Sequence, residues 1–143
     1  MRIPVFSILL LLSGLNALAG NVKIELHLVW GTDEKTSPNS EHKPVSHELK
    51  KQMQALHLKW TNYFDVKQLN IDLPPMGVKK TPLSSKCEVE IKDLGHSKFQ
   101  VILIGKGEEV INRTQSLPKG ETLVLGGNAP ASTSWYVVLK RIE

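Results

Sequence analysis

Residues 22–30, VKIELHLVW, set Val22, Ile24, Leu26, Leu28 and Trp30 on one side of the chain and Lys23, Glu25 and His27 on the other. Strict alternation suits a strand with one buried face and no helix, whose apolar positions recur every three to four residues. The same period returns in 63–73 (YFDVKQLNIDL), 86–94 (KCEVEIKDL), 98–105 (KFQVILIG), 108–115 (EEVINRTQ), 122–126 (TLVLG) and 134–142 (SWYVVLKRI). Pro74-Pro75 and Gly77, Gly95-His96, Gly105-Lys106-Gly107, Pro118-Lys119-Gly120 and 126–134 separate these runs, and each break carries turn chemistry. Such gaps are too short for the crossovers that parallel pairing needs, so neighbouring strands are expected to pair antiparallel. The fold class implied is mainly β: a small antiparallel β-sandwich, or a flattened barrel, of six to seven strands.

One segment departs from this period. In SHELKKQMQALHLKW, Leu49, Met53, Leu56 and Trp60 fall at the spacing of an amphipathic helix, predicted here over 46–57. Ser46 can cap its first turn, and Glu48 suits the positive end of its dipole. The stripe is expected to cover one face or an open end of the sheet. Between strand and helix, Gly31 to Pro44 contains no apolar side chain beyond its prolines and reads as a long surface loop. Within 63–73 the apolar face moves from Phe64 and Val66 to Leu69, Ile71 and Leu73, an odd-residue shift that predicts a bulge near Lys67.

The first 19 residues have the layout of a secretory signal peptide: Arg2, an apolar run from Ile3 to Leu12, and a small-x-small end at Ala17-Leu18-Ala19. That run is shorter than the about 20 residues a membrane span needs. Cleavage is expected after Ala19, leaving 20–143 as a single β-sandwich-like domain with no stable membrane anchor, secreted to the periplasm or the medium. Loss of Arg2 lowers the formal charge from +4 to +3, with basic residues scattered and in no nucleic-acid footprint. Cys87 is the one cysteine, so no intrachain disulfide is possible; its place in the alternation with Val89 and Ile91 suggests a small buried apolar role.

Signatures of catalysis are sparse. His47 opens HELKK, but Lys51 stands where a zinc-protease helix needs its second histidine, and His27, His42, His57 and His96 make no ligand-spaced pair. Ser116 and Lys119 have the spacing of a serine–lysine pair, yet Pro118 puts them in a turn and not on a helix. Asp65, Asp72, Glu88 and Glu90 read as solvated residues on outward strand faces. Asn112-Arg113-Thr114 fits an N-glycosylation acceptor, which matters only in a eukaryotic host. No metal, no cofactor and no enzymatic activity are expected.

Contact surfaces are the remaining candidates. Tyr63 and Phe64 point to opposite faces, as do Trp135 and Tyr136, so one ring of each pair is expected to be more exposed than the other. Trp30, Tyr63 and Tyr136 are therefore candidate binding residues, together with Asp33 in the 31–44 loop and Asn128 in the 126–134 loop.

The stretch LPKGETLVLGG, 117–127, reads as a β-hairpin: Pro118 and Gly120 build the turn, Leu123 and Leu125 face the core, and Gly126-Gly127 ends the strand. Residues 120–127 also resemble the glycine–threonine–apolar–glycine–glycine segment of secretins, outer-membrane pore proteins of bacterial secretion and pilus systems, although the hairpin accounts for the same residues. From Leu49 to Ile142, the order of helix, LKWTNYFDV, hairpins and a leucine-turn-strand element resembles short uncharacterised secreted bacterial proteins rich in β-structure. That resemblance implies a small envelope or extracellular domain and supplies no catalytic residues. The expectation is an exported, non-enzymatic binding or accessory module, monomeric, acting by protein or glycan contact. The alternative is a structural, oligomer-forming subunit of a bacterial envelope or secretion assembly that pairs through an edge strand, either around Leu117–Leu125 or at the last strand.

Overall fold

A computed structural model describes residues 20–37, 39–58, 60–128 and 134–143; the first 19 residues, with Ala17 and Ala19 of the expected cleavage site, lie outside the described residues. The strands are β1 (Val22–Thr32), β2 (Lys43–Pro44), β3 (Asn62–Leu73), β4 (Val78–Ser84), β5 (Cys87–Gly95), β6 (Lys98–Gly105), β7 (Glu108–Ser116), β8 (Thr122–Asn128) and β9 (Ser134–Arg141), with one helix, α1 (His47–Ala55), between β2 and β3. They form two antiparallel sheets and no closed barrel: sheet A in the order β2-β3-β1-β9-β8, and sheet B in the order β4-β5-β6-β7. The fold is a β-sandwich with a helix laid on the outer face of sheet A.

Alternation builds the space between the sheets. Ile24, Leu26, Ile71, Leu73, Leu125 and Leu139 from sheet A meet Leu83, Val89, Ile91, Phe99 and Val101 from sheet B, all buried in one cluster. Burial of a side chain of this size contributes about 1.5–3 kcal/mol. At the rim, Arg141 of sheet A donates to Ser97 Oγ and the Leu117 carbonyl and lies 5.5 Å from the centre of the Phe99 ring, so one guanidinium ties the two sheets. The β5–β6 and β6–β7 hairpins turn through His96-Ser97 and Lys106-Gly107, all four at positive φ, the conformation that matches strand twist in two-residue loops.

Several expectations change. The strands number nine because β2 and β4 had no apolar period to announce them. Residues 78–84, VKKTPLS, hold two lysines and Pro82, which are tolerated because β4 is an edge strand of sheet B. The 117–127 stretch is not a hairpin: β7 belongs to sheet B and β8 to sheet A, so 117–121 carries the chain from one sheet to the other. Along that arch Leu117 N donates to Ser97 O, Gly120 N to Arg141 O, and Arg141 N to Glu121 O. Gly126 and Gly127 do not release the strand but pair with Tyr136 and Trp135. A Cβ at Gly126 would sit 3.1 Å from the Tyr136 ring, and one at Gly31 only 2.6 Å from the Trp60 ring, so both glycines make room for aromatic rings within sheet A. The last strand, β9, lies between β1 and β8 and offers no edge.

The helix ends two residues earlier than the pattern suggested. Ser46 Oγ accepts from Leu49 N, as expected of the cap, but the chain leaves the helix at Ala55 and His57 takes a positive φ. Leu49 and Met53 are buried, whereas Leu56, beyond the helix, is exposed.

Candidate functional site

The outer face of sheet A is divided. Odd-numbered residues of β1 point to it, and over Val29 and Gly31 it is closed by Leu49, Met53, Val45 and Trp60, with Tyr63, Tyr136 and Val138 completing a second core. A nine-residue helix is only about 14 Å long, against about 36 Å for an eleven-residue strand. The rest of the face, around His27 and Glu25, is left as a polar groove of about 280 Å³. Its floor is Glu25 and His27 of β1, Asp65 and Gln68 of β3, and Thr122, Val138 and Lys140 of β8 and β9; its wall is Ser46, Glu48, Leu49 and Gln52 at the start of α1.

The bulge puts Asp65 into this groove. Along most of the β1–β3 ladder odd residues of β1 face even residues of β3, as His27 faces Gln68; past the irregularity at Leu28/Val29 odd faces odd, and Val29 lies opposite Asp65. Without the extra residue Val66 would stand on the polar face and Asp65 would point between the sheets. The shift read from the sequence near Lys67 is therefore the feature that assembles the site.

His27 is buried at 8% exposure, although it lies on the polar side of the β1 alternation. Its Nδ1 lies 2.9 Å from Asp65 Oδ1 and its Nε2 2.6 Å from Glu25 Oε1. Carboxylates only accept, and a neutral imidazole has one N–H, so both contacts are satisfied together only by the imidazolium. Burial alone disfavours that charge, but the hydrogen bonds and charges of Asp65 and Glu25 outweigh it and hold His27 above its ordinary value of 6.5. Asp65 is thus an ion-pair partner and not the solvated strand residue expected of it. With both ring nitrogens occupied, His27 has no lone pair to act as base, nucleophile or metal ligand in this arrangement. Among the described residues, no group of His, Cys, Asp and Glu is placed to hold a metal ion. The Cys87 thiol, half-buried, is pushed up by burial and by Glu88, which disfavours its thiolate.

The candidate binding residues divide differently. Trp30, Tyr63 and Tyr136 are all buried and present no exposed platform. Trp30 stacks against Trp135 and lies 6.0 Å from Phe64 on the inner face, while Tyr63 and Tyr136 meet edge-on at 6.3 Å beneath the helix side. Tyr63 and Phe64 are both buried, because this end of sheet A is covered on both faces, whereas Trp135 is more exposed than Tyr136, so the expected contrast holds in that pair with the candidate Tyr136 as its buried member. Asp33 is on the surface and accepts from Thr61 N and Oγ1, at 3.1 and 2.9 Å, fastening the loop to the start of β3. Asn128 closes β8 in register with Ser134, and the rest of its loop, 129–133, lies outside the described residues. The residues missed by sequence reasoning are Glu25, His27 and Asp65; the available signal was Glu25-x-His27 on one strand face together with the bulge.

The arrangement defines a two-sheet β-domain with a charged groove beside its helix. No family model, curated protein or solved structure matches the chain. No helix among the described residues is long and apolar enough to cross a membrane.

Proposed function

We propose that this chain is an exported, non-enzymatic binding module and that its contact surface is the groove between α1 and the β1–β3–β9 face. The observation that carries this reading is the Glu25–His27–Asp65 cluster. It places charge in a concave, polar site yet leaves no free ring nitrogen for acid–base or nucleophilic work. Burial of Trp30, Tyr63 and Tyr136 removes the rings on which a sugar would stack, so the groove favours a polar protein surface over a glycan. The test is capture of partners from envelope and medium fractions by the wild type, by Glu48→Lys and by Lys140→Glu. Loss of the same protein partner from both variants supports the groove, and retention by both refutes it.

A second reading, a structural subunit that pairs by strand addition, is supported by two edge strands: β8, the edge of sheet A that carries Leu123 and Leu125 of the expected pairing segment, and β7. This nine-residue edge strand of sheet B lacks proline, whereas the opposite edge, β4, carries Pro82. Discrete oligomers lost on Asn112→Pro, with groove variants unaffected, would favour it.

A further inference from the structure

We propose that β8 is a self-pairing edge: two copies of this chain join antiparallel along 122–128 about a two-fold axis at Leu125, and their A sheets become one. The inference rests on the strand-pairing reading and names its edge, its partner and its register. An edge strand recruits another strand unless something guards it, and three of the four sheet edges are guarded. β2 is two residues long and ends in Pro44. β4 carries Lys79, Lys80 and Pro82, with an irregularity between Pro82 and Ser84. β7 carries Glu108, Glu109 and Arg113, with an irregularity opposite Leu103/Ile104. β8, TLVLGGN, has no charge, no proline and an unbroken register with β9.

Its free backbone groups lie where pairing needs them. Arg141 N donates to Glu121 O, and along an antiparallel ladder the bonded pairs recur at every second residue, so 123, 125 and 127 bond to β9. The N–H and C=O of Thr122, Val124, Gly126 and Asn128 therefore point away from β9. Among the described residues, no backbone hydrogen bond outside the β8–β9 ladder reaches them. Thr122 and Val124 are half-buried and Gly126 is exposed, whereas Leu123 and Leu125 are sunk in the core.

The order of residues selects a second copy as the occupant. A two-fold axis at Leu125 sets Thr122 against Asn128 of the other copy, Leu123 against Gly127, Val124 against Gly126, and Leu125 against its counterpart. The whole strand is used, and the four residues with free backbone groups meet one another as hydrogen-bonded pairs. Directly opposed residues share a face of the sheet. Leu123 and Val124 thus each face a glycine, whose missing side chain leaves them room. A Cβ at Gly126 would stand 3.1 Å from the Tyr136 ring, so that ring, and no methyl group, borders Val124 of the second copy. An axis at Val124 instead would oppose valine to valine and leave Gly127 and Asn128 without partners in the strand. Because the axis is normal to the sheet, the dimer presents its two polar grooves on the same side.

The test is sedimentation of the exported protein over a dilution series, read beside amide hydrogen exchange. A dimer of twice the chain mass is expected, with the Val124 and Gly126 amides protected in the dimer and released on dilution. The Leu123 and Leu125 amides, bonded to β9, stay protected in both forms. Val124→Pro costs the monomer no ladder bond, because the N–H it removes points outward, and is expected to abolish the dimer. Asn112→Pro, on β7, leaves the dimer intact. If Val124→Pro fails to fold, Thr122→Pro at the first residue of the strand replaces it, and the wild-type amides decide without any variant. A monomer at every concentration, or a dimer whose Val124 and Gly126 amides exchange freely, overturns the proposal. Protection of those amides only in the presence of another envelope protein also overturns it and makes that protein the occupant. An oligomer lost on Asn112→Pro and kept by Val124→Pro overturns it too, while leaving the strand-pairing reading in place on β7.

Discussion

Sheets A and B are built from the same alternation and meet water in opposite ways. In sheet B the rule is clean: Val89, Ile91, Phe99, Val101 and Leu103 are buried, while no outward residue of β5 or β6 is, from Glu88, Glu90 and Lys92 to Gln100, Ile102 and Ile104. In sheet A the rule stops working at Leu26, from which seven consecutive residues, Leu26 to Thr32, are buried. The difference is a cover. Strand period assigns a residue to a face, but whether that face meets solvent depends on a helix placed some twenty residues away in the chain, and α1 closes only part of what it overlies. A polar groove with a buried histidine is the result at the margin of that cover.

Substitutions can break or sharpen this contrast. The largest effect is expected beneath the helix, on a face that in sheet B would tolerate change. Met53→Ala, at a fully buried position, should lower unfolding free energy by about 2–5 kcal/mol in chemical denaturation. A loss below 1 kcal/mol would mean that α1 is not part of the core. Gly31→Ala comes next, because its Cβ would stand 2.6 Å from Trp60 Cδ1. The ring must move, at a cost of about 1–3 kcal/mol, and a change in Trp60 fluorescence should accompany the loss. Ser46→Ala removes the acceptor for Leu49 N and should cost about 1 kcal/mol, with exchange accelerated in the first turn of α1 before any other element. Lys92→Gln, on the open face of sheet B, should stay within about 0.5 kcal/mol; a larger effect would show that this face is covered after all.

The sandwich was legible because its information is local. Alternation in β1, β5, β6 and β9, turn residues at each hairpin and the odd-residue shift at Val66-Lys67 are all written within a few positions of where they act. Connections between sheets were not legible. Pro118 and Gly120 serve a hairpin and an arch equally well, and only the packing of β7 and β8 on opposite layers distinguishes them. β4 was hidden by Lys79, Lys80 and Pro82, residues that suit an edge and argue against a central strand. The site was least legible of all, since Glu25, His27 and Asp65 look like solvated residues until the bulge turns Asp65 onto their face and α1 settles beside them.

The most direct measurement is a long-range proton–nitrogen correlation spectrum of the His27 ring as pH is raised past 6.5. The structure predicts two protonated-type nitrogens persisting above that value, the signature of an imidazolium held by both Glu25 and Asp65. A neutral tautomer with a single N–H at or below 6.5 would contradict it, and with it the account of how the helix cover turns one face of sheet A into a site.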